Sequence, residues 1–158
     1  MLRLSKLTDY AVVVLVRLSQ RAGIETSPGI AQGTAIPEPT VAKVLKILAS
    51  RGLVRSQRGA RGGYRLARPL AEIAIADVIA AVDGPIALTA CVDGASAGCD
   101  VLEVCPVRGR WDPVNAAIRE ALAAISLEDM QGASVSRPFH IVSLVKPAPS
   151  ASSIPPAE

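Results

Sequence analysis

Apolar residues recur along the first fifty positions with the period of an α-helix. Between Ser5 and Arg21, the residues Leu7, Ala11, Val14, Leu15 and Leu18 fall on one stripe, and Ser5 or Thr8 is placed to cap the helix. The run Val12-Val13-Val14 is β-branched and also suits a buried strand. The length of the element and the stop at Gly23 favour a helix. Ser27 to Ala35, with Pro28 near its start and Gly33 near its end, suits a helix of two turns. Ile36-Pro37-Glu38-Pro39-Thr40 is a break, either a turn or the first turn of the next helix. From Val41 to Arg51 the apolar positions Val41, Val44, Leu45 and Leu48 repeat at helical spacing. Thr40, Lys43, Lys46 and Ile47 lie off that stripe, and Gly52 ends the helix.

The period then changes. Leu53-Val54-Arg55-Ser56 and Gly63-Tyr64-Arg65-Leu66 read as two short strands, and Gln57 to Gly62 reads as the hairpin tip between them. Helix, short helix, turn, helix and basic hairpin is the layout of a winged helix-turn-helix, so the fold class is mainly α, a winged helix-turn-helix with a two-stranded wing plus a long C-terminal helix. Ala76 to Val82 predicts a further short helix, closed by Asp83-Gly84-Pro85. Asp112 is placed to cap a helix with Pro113 at its first position. That helix runs to about Ile125 and carries Val114, Ala117, Ile118, Ala121, Leu122 and Ile125 on one broad apolar face. Ser126 followed by Asp129 resembles a capping box. Phe139 to Val145 reads as one strand, and the Pro-, Ala- and Ser-rich end from Lys146 to Glu158 reads as disordered. The chain thus divides into a winged helix-turn-helix at 1–84, a cysteine loop at 85–111, a helical region at 112–132 and a tail at 133–158.

Net charge is only +3, but it is unevenly placed. Met1 to Leu70 holds twelve Lys or Arg against three Asp or Glu, whereas Ala71 to Glu158 holds five against eleven. A basic excess concentrated between Lys43 and Arg68 points to a polyanion, although a solvated surface without a partner accounts for charge alone. No run of 18 uninterrupted apolar residues occurs, so no membrane-spanning helix is expected. The stretch from Tyr10 to Val16 mimics a signal peptide, yet Asp9 and Arg17 bracket it closely and no small-residue cleavage site ends it. The chain reads as cytoplasmic.

In a winged helix-turn-helix the second helix enters the major groove, and side chains near its N-terminus reach base edges. That places Pro39, Thr40 and Lys43 at double-stranded DNA. Arg58 and Arg61 stand among glycines at the hairpin tip, where the backbone can approach the duplex and an arginine can enter a narrowed minor groove. Ser27, at a helix start, is placed to donate to phosphate.

Cys91, Cys99 and Cys105 are spaced C-x7-C-x5-C. An odd number of cysteines without a CxxC pair disfavours both a disulfide framework and a common zinc finger. Three thiolates on one loop suit an iron–sulfur cluster, one iron of which is left to a weaker ligand. The competing readings are incidental thiols, a zinc- or thiol-based DNA regulator without a cluster, and a redox enzyme or cluster carrier. No catalytic arrangement emerges. The single histidine, His140, stands far from the cysteines in sequence and reads as a surface residue.

Over roughly Leu2 to Gln131 the chain resembles the Rrf-type iron–sulfur winged-helix regulators, the group of IscR, NsrR and RirA. The matching text is Leu4 to Val12, Gly52-Leu53-Val54, Arg58 to Ala67, Ile75 to Ile79, Val82 to Pro85, the cysteine triplet and Trp111. The opening LSKLTDYAVVVL is most similar to regulators of the SUF iron–sulfur assembly genes. The resemblance implies a homodimer on a palindromic operator, with the helix after the cysteine loop crossing its partner through Val114, Ile118, Ala121, Leu122 and Ile125. It also implies cluster-dependent repression of iron–sulfur assembly or iron-responsive genes. Some IscR-like members use a histidine three residues after the last cysteine; Arg108 stands there, which counts against a histidine-ligated 2Fe–2S cluster. NsrR-like members use an aspartate of the other subunit's first helix, and Asp9 matches that position, so the resemblance favours 4Fe–4S. A helix N-terminal charge is the alternative role for Asp9.

Overall fold

The computed structural model describes residues 3–92, 98–101 and 103–131. Helix α1 (Lys6–Ser19) starts after Ser5, whose Oγ accepts a hydrogen bond from the Thr8 amide at 3.1 Å. Ala11, Val14, Leu15 and Leu18 are buried along it, so the β-branched trio is helical here and tertiary burial overrides its strand preference. Helix α2 (Ser27–Thr34) is capped by Thr26 rather than by Ser27. It ends at Ala35, which takes a left-handed φ of 57°, and buried Ile36 then anchors the turn.

Helix α3 (Glu38–Ser50) begins three residues before the predicted Val41. Pro37 is its N-cap, and the amides of Thr40 and Val41 donate to the Pro37 carbonyl at 2.9 and 3.0 Å. Pro39 fits in the first turn because amides there have no intrahelical acceptor to lose. Val41, Val44, Leu45 and Leu48 are fully buried against α1 and α2. Each such burial contributes about 1.5–3 kcal/mol, and with only four aromatic residues in the chain the core is aliphatic.

Strands β1 (Val54–Gln57) and β2 (Gly63–Leu66) form an antiparallel hairpin with Val54 opposite Leu66, Arg55 opposite Arg65 and Ser56 opposite Tyr64. Val54 is buried and Leu66 half-buried, while Arg55 and Arg65 stand on the exposed face. A segment not anticipated from periodicity joins this sheet. The Glu25 amide donates to the Tyr64 carbonyl at 3.0 Å, and the Tyr64 amide donates to the Glu25 carbonyl at 2.8 Å.

A 3-10 turn (Leu70–Glu72) leads into α4 (Ile75–Val82), where Asp77 accepts from the Ala74 amide and from Arg68 Nη2. Just past α4, Asp83 Oδ2 accepts from Thr8 Oγ1 at 2.8 Å and from the Ser5 amide at 3.3 Å, tying the end of α4 to the start of α1. Burial raises the Asp83 pKa, but hydrogen bonds from Ser5 and Thr8 outweigh it and hold the carboxyl below the usual aspartate value.

Helix α5 (Asp112–Ala123) differs from expectation at both ends. Its N-cap is Trp111, with Asp112 already helical and Pro113 in the second position. It stops at Ala123, and Ile125-Ser126 turns back to the body as an extended segment. The Ile75 amide donates to the Ile125 carbonyl and the Leu127 amide to the Ile73 carbonyl, both at 2.9 Å. These two bonds, with Leu127 fully buried, hold the chain out of the helix. Helix α6 (Leu127–Gln131) carries the predicted capping box: Ser126 Oγ accepts from the Asp129 amide, and Asp129 Oδ2 accepts from the Ser126 amide. Buried Asn115 fixes the chain before the cysteines onto α5, accepting from the Leu88 amide at 3.0 Å and donating to the Ile86 carbonyl at 3.1 Å. The predicted strand Phe139–Val145, His140 and the 133–158 tail lie outside the described residues.

Candidate nucleic-acid interface and cysteine loop

With its apolar stripe buried, α3 turns Pro39, Lys43 and Lys46 outward, while Thr40 is half-buried in the first turn. Lys46, one turn beyond Lys43, belongs with the predicted residues; its i+3 spacing was the signal for it. The wing tip carries Arg58 and Arg61, both exposed, and the Gly62 amide closes the tip on the Gly59 carbonyl at 2.9 Å. Ser27 is placed differently from the expectation. Its Oγ is enclosed and has no hydrogen-bond partner among the described residues, so it does not face outward to donate to a phosphate. Thr26, the exposed neighbour, makes the cap to the Gly29 amide at 3.3 Å.

The strand register adds a feature that composition could not reveal. Arg55 and Arg65 face each other directly across the wing, both exposed and neither with an ion-pair partner among the described residues. Like charges directly opposite are unfavourable by some tenths of a kcal/mol, and a phosphate backbone alongside relieves that repulsion.

Cys91, Cys99 and Cys105 are free thiols, each half-buried, on the connection between α4 and α5. Cys91 Sγ lies 3.1 Å from Thr89 Oγ1. The donor chemistry fits an iron–sulfur cluster, since three accessible thiols stand on one irregular segment. They do not form a finished cage: among the described residues no group of three or more His, Cys, Asp or Glu side chains is placed to hold a metal ion. Asp9 sits exposed in the first turn of α1, with no side-chain partner among the described residues, and is not gathered with the cysteines of its own chain.

On α5 the predicted apolar face divides. Leu122 and Ile125 lie against the chain's own core, Ile118 is half-buried, and Val114 and Ala121 are exposed. Val101, Val104, Val107 and Trp111, leading into α5, are exposed as well.

Residues 4–133 match the model of the family described as Rrf2, iron-dependent transcriptional regulator. The chain belongs to the Rrf2 family. Protein aau3 of Rhizobium meliloti is 33% identical over 135 residues, covering 85% of this chain and 82% of that one. The HTH-type transcriptional regulator IscR of Xenorhabdus nematophila is 31% identical over 131 residues, covering 82% and 79%. Among solved structures, CymR, the global cysteine regulator of B. subtilis, is similar with a TM-score of 0.64 and 29% identity, over 83% of this chain and 97% of that one. The IscR of T. potens is similar with a TM-score of 0.57 and 30% identity, over 82% and 85%. This Rrf2 protein is a winged-helix, DNA-binding transcriptional regulator and not an enzyme. No helix among its described residues is long and apolar enough to cross a membrane.

Proposed function

We propose that this Rrf2 protein is a cytoplasmic homodimeric repressor of iron–sulfur assembly or other iron-responsive genes, and that a cluster on Cys91, Cys99 and Cys105 governs its DNA affinity. The observation that carries the reading is the pairing of two features in one chain: an outward basic face on α3 and the wing, and three free thiols on the loop before α5.

Pro39, Thr40 and Lys43 at the start of α3 read base edges in the major groove, and Lys46 adds charge to the same face. Arg58 and Arg61 reach the minor groove or its phosphates from the wing tip. At Ser27 the phosphate contact falls to the N-terminus of α2 itself rather than to the hydroxyl. Two copies related by a two-fold axis present two α3 helices to a palindromic site.

The exposed apolar residues Val101, Val104, Val107, Trp111 and Val114 support the dimer. A row of this size left in water marks an interaction surface, and a second α5 with its own apolar face is the complementary partner. Val114, Ile118 and Ala121 then meet the partner, while Leu122 and Ile125 seat α5 on its own body.

Cys91, Cys99 and Cys105 would hold the cluster, with Asp9 of the partner subunit completing a 4Fe–4S set; a 2Fe–2S cluster is the alternative. A cluster with one weakly held iron supplies sensitivity to oxygen, nitric oxide or iron loss. Ordering of the 91–105 loop against α5 and the partner's α1 fixes the spacing of the two α3 helices, which couples the thiols to the operator.

Anaerobic purification with an absorbance spectrum and iron and sulfide analysis tests the cluster. A brown protein with about four of each per protomer, lost when any one cysteine becomes alanine, is the expected result. Unchanged loading in Asp9→Ala removes that residue from the ligand set. A colourless protein holding only zinc after reconstitution favours instead a zinc- or thiol-based DNA regulator. Arg58→Ala should weaken gel-shift affinity, and wild-type affinity would remove the wing contact.

A further inference from the structure

We propose that the Arg17–Glu25 ion pair sets the position of the wing relative to the helix-turn-helix, so that DNA affinity depends on two residues behind the interface. The proposal rests on the reading that Arg58 and Arg61 of the wing touch DNA.

A two-stranded hairpin is at best marginally stable by itself, so its orientation must come from what it leans on. One support is apolar, through Val54, Tyr64 and Leu66 against the core. The other is Glu25, whose backbone exchanges two hydrogen bonds with Tyr64 of β2. Gly63 permits that approach: a Cβ there would lie 2.6 Å from the Glu25 carbonyl oxygen.

The side chain of Glu25 is tied in turn to α1. Arg17 donates from both Nε and Nη2 to Glu25 Oε1, at 3.2 and 2.9 Å. The two side chains are only 19% and 13% exposed. The guanidinium lies over Gly33 of α2, where a Cβ would stand 2.5 Å from Arg17 Cζ. One ion pair therefore links α1, the segment before α2, and β2, in a slot that α2 leaves open.

The pair is under-satisfied, and that gives it leverage. Glu25 Oε2 is buried with no partner among the described residues. Removal of Arg17 leaves a buried carboxylate with no counter-charge, a state that is strongly unfavourable. The relief available to Glu25 is to swing toward water, and its backbone takes the Tyr64 bridge with it. The wing then loses one of its two supports while the core under α3 is untouched.

Two full-length variants test this. Arg17→Met keeps the apolar stem and removes the charge. Gly33→Ala displaces only the flexible end of Arg17 and improves helix propensity, so loss of fold does not explain its effects. The expected result is faster amide exchange at Tyr64 and Glu25 in both variants, with exchange at Leu45 unchanged. Affinity for a duplex selected by the wild-type protein from a random-sequence pool should fall roughly tenfold. In an Arg58→Ala, Arg61→Ala background the same changes should cost no further affinity, because they act through the wing. Unchanged Tyr64 exchange, or an equal affinity loss with and without the wing arginines, overturns the proposal. If the double wing variant binds as tightly as wild type, the wing-contact reading itself has failed and the affinity claim falls with it. A fault in the clamp alone shows instead as normal wing dependence with Tyr64 exchange unmoved.

Discussion

Between Lys6 and Val82 the apolar stripes of α1, α3 and α4 are buried against other elements, whereas among the described residues from Val101 to Val114 five large apolar side chains stand in water, Val104 at 81% exposure. The two regions also differ in their polar groups. In the body, Ser5, Thr26, Asp77 and Asp83 each accept a hydrogen bond at a helix end. Unpartnered buried oxygens occur in both regions among the described residues, Glu25 Oε2 and Ser27 Oγ in the body and Asp112 Oδ1 at the start of α5, but the three free thiols stand around the cysteine loop. A helix stripe of Val, Leu and Ile finds its complement within one chain, so the body is complete in a protomer. The loop and the start of α5 leave apolar side chains and thiols without such a complement among the described residues, and the proposed dimer and cluster would supply it. A regulator has use for that division. On the proposed reading, the part that reads DNA is fixed by packing, and the cysteine loop is left conditional on what it binds.

Four changes test this contrast. Leu45→Ala, in the fully buried stripe of α3, should cost about 2–5 kcal/mol in denaturant unfolding. A loss well under that range would mean that the body is not the tightly packed half. Ser126→Ala removes the capping box of α6 and should cost about 1 kcal/mol, read from thermal unfolding. An effect that small but measurable places α6 with the body, and none at all places it with the conditional half. Val104→Ser should leave protomer stability within about 0.5 kcal/mol of wild type. It should also weaken self-association in sedimentation; a loss comparable to that of Leu45→Ala would erase the distinction between the two regions.

The smallest expected effect is a pH dependence at Asp83. Its folded pKa is lowered by Ser5 and Thr8 against the opposing influence of burial, so its contribution is present above the unfolded aspartate value. That contribution is lost as pH falls through the folded value, which confines the effect to below about pH 4. Asp83→Asn should flatten stability in that window and leave it unchanged in slope near neutrality, as measured by unfolding across pH. The group is largely solvent-exposed, so the change is minor beside the other three.

Where a single local signal decides an element, the sequence was readable. The α3 stripe is buried as its spacing requires, the β2 strand runs from Gly63 to Leu66 as predicted, and the Ser126–Asp129 box is formed. The differences fall where an adjacent residue takes a role or a distant segment competes for the chain. Asp112 has the chemistry of a cap, yet Trp111 occupies that position and the Asn115 amide donates to its carbonyl at 2.9 Å. The α5 helix would continue to Ile125 on periodicity alone, but hydrogen bonding to Ile73 and Ile75 withdraws the chain from it.

The same division runs through the candidate site. Lys43, Arg58 and Arg61 were legible because polar residues off a buried stripe, or at a hairpin tip, have nowhere to go but outward. The Arg55–Arg65 opposition and the Arg17–Glu25–Tyr64 linkage were not legible, since both depend on strand register and on which elements meet. The main elements, the basic half and the cysteine loop could be read from residues alone, because these follow from local periodicity, composition and spacing. Where α5 ends and what the wing leans on were settled by tertiary structure, because each is a competition between contacts far apart in the chain.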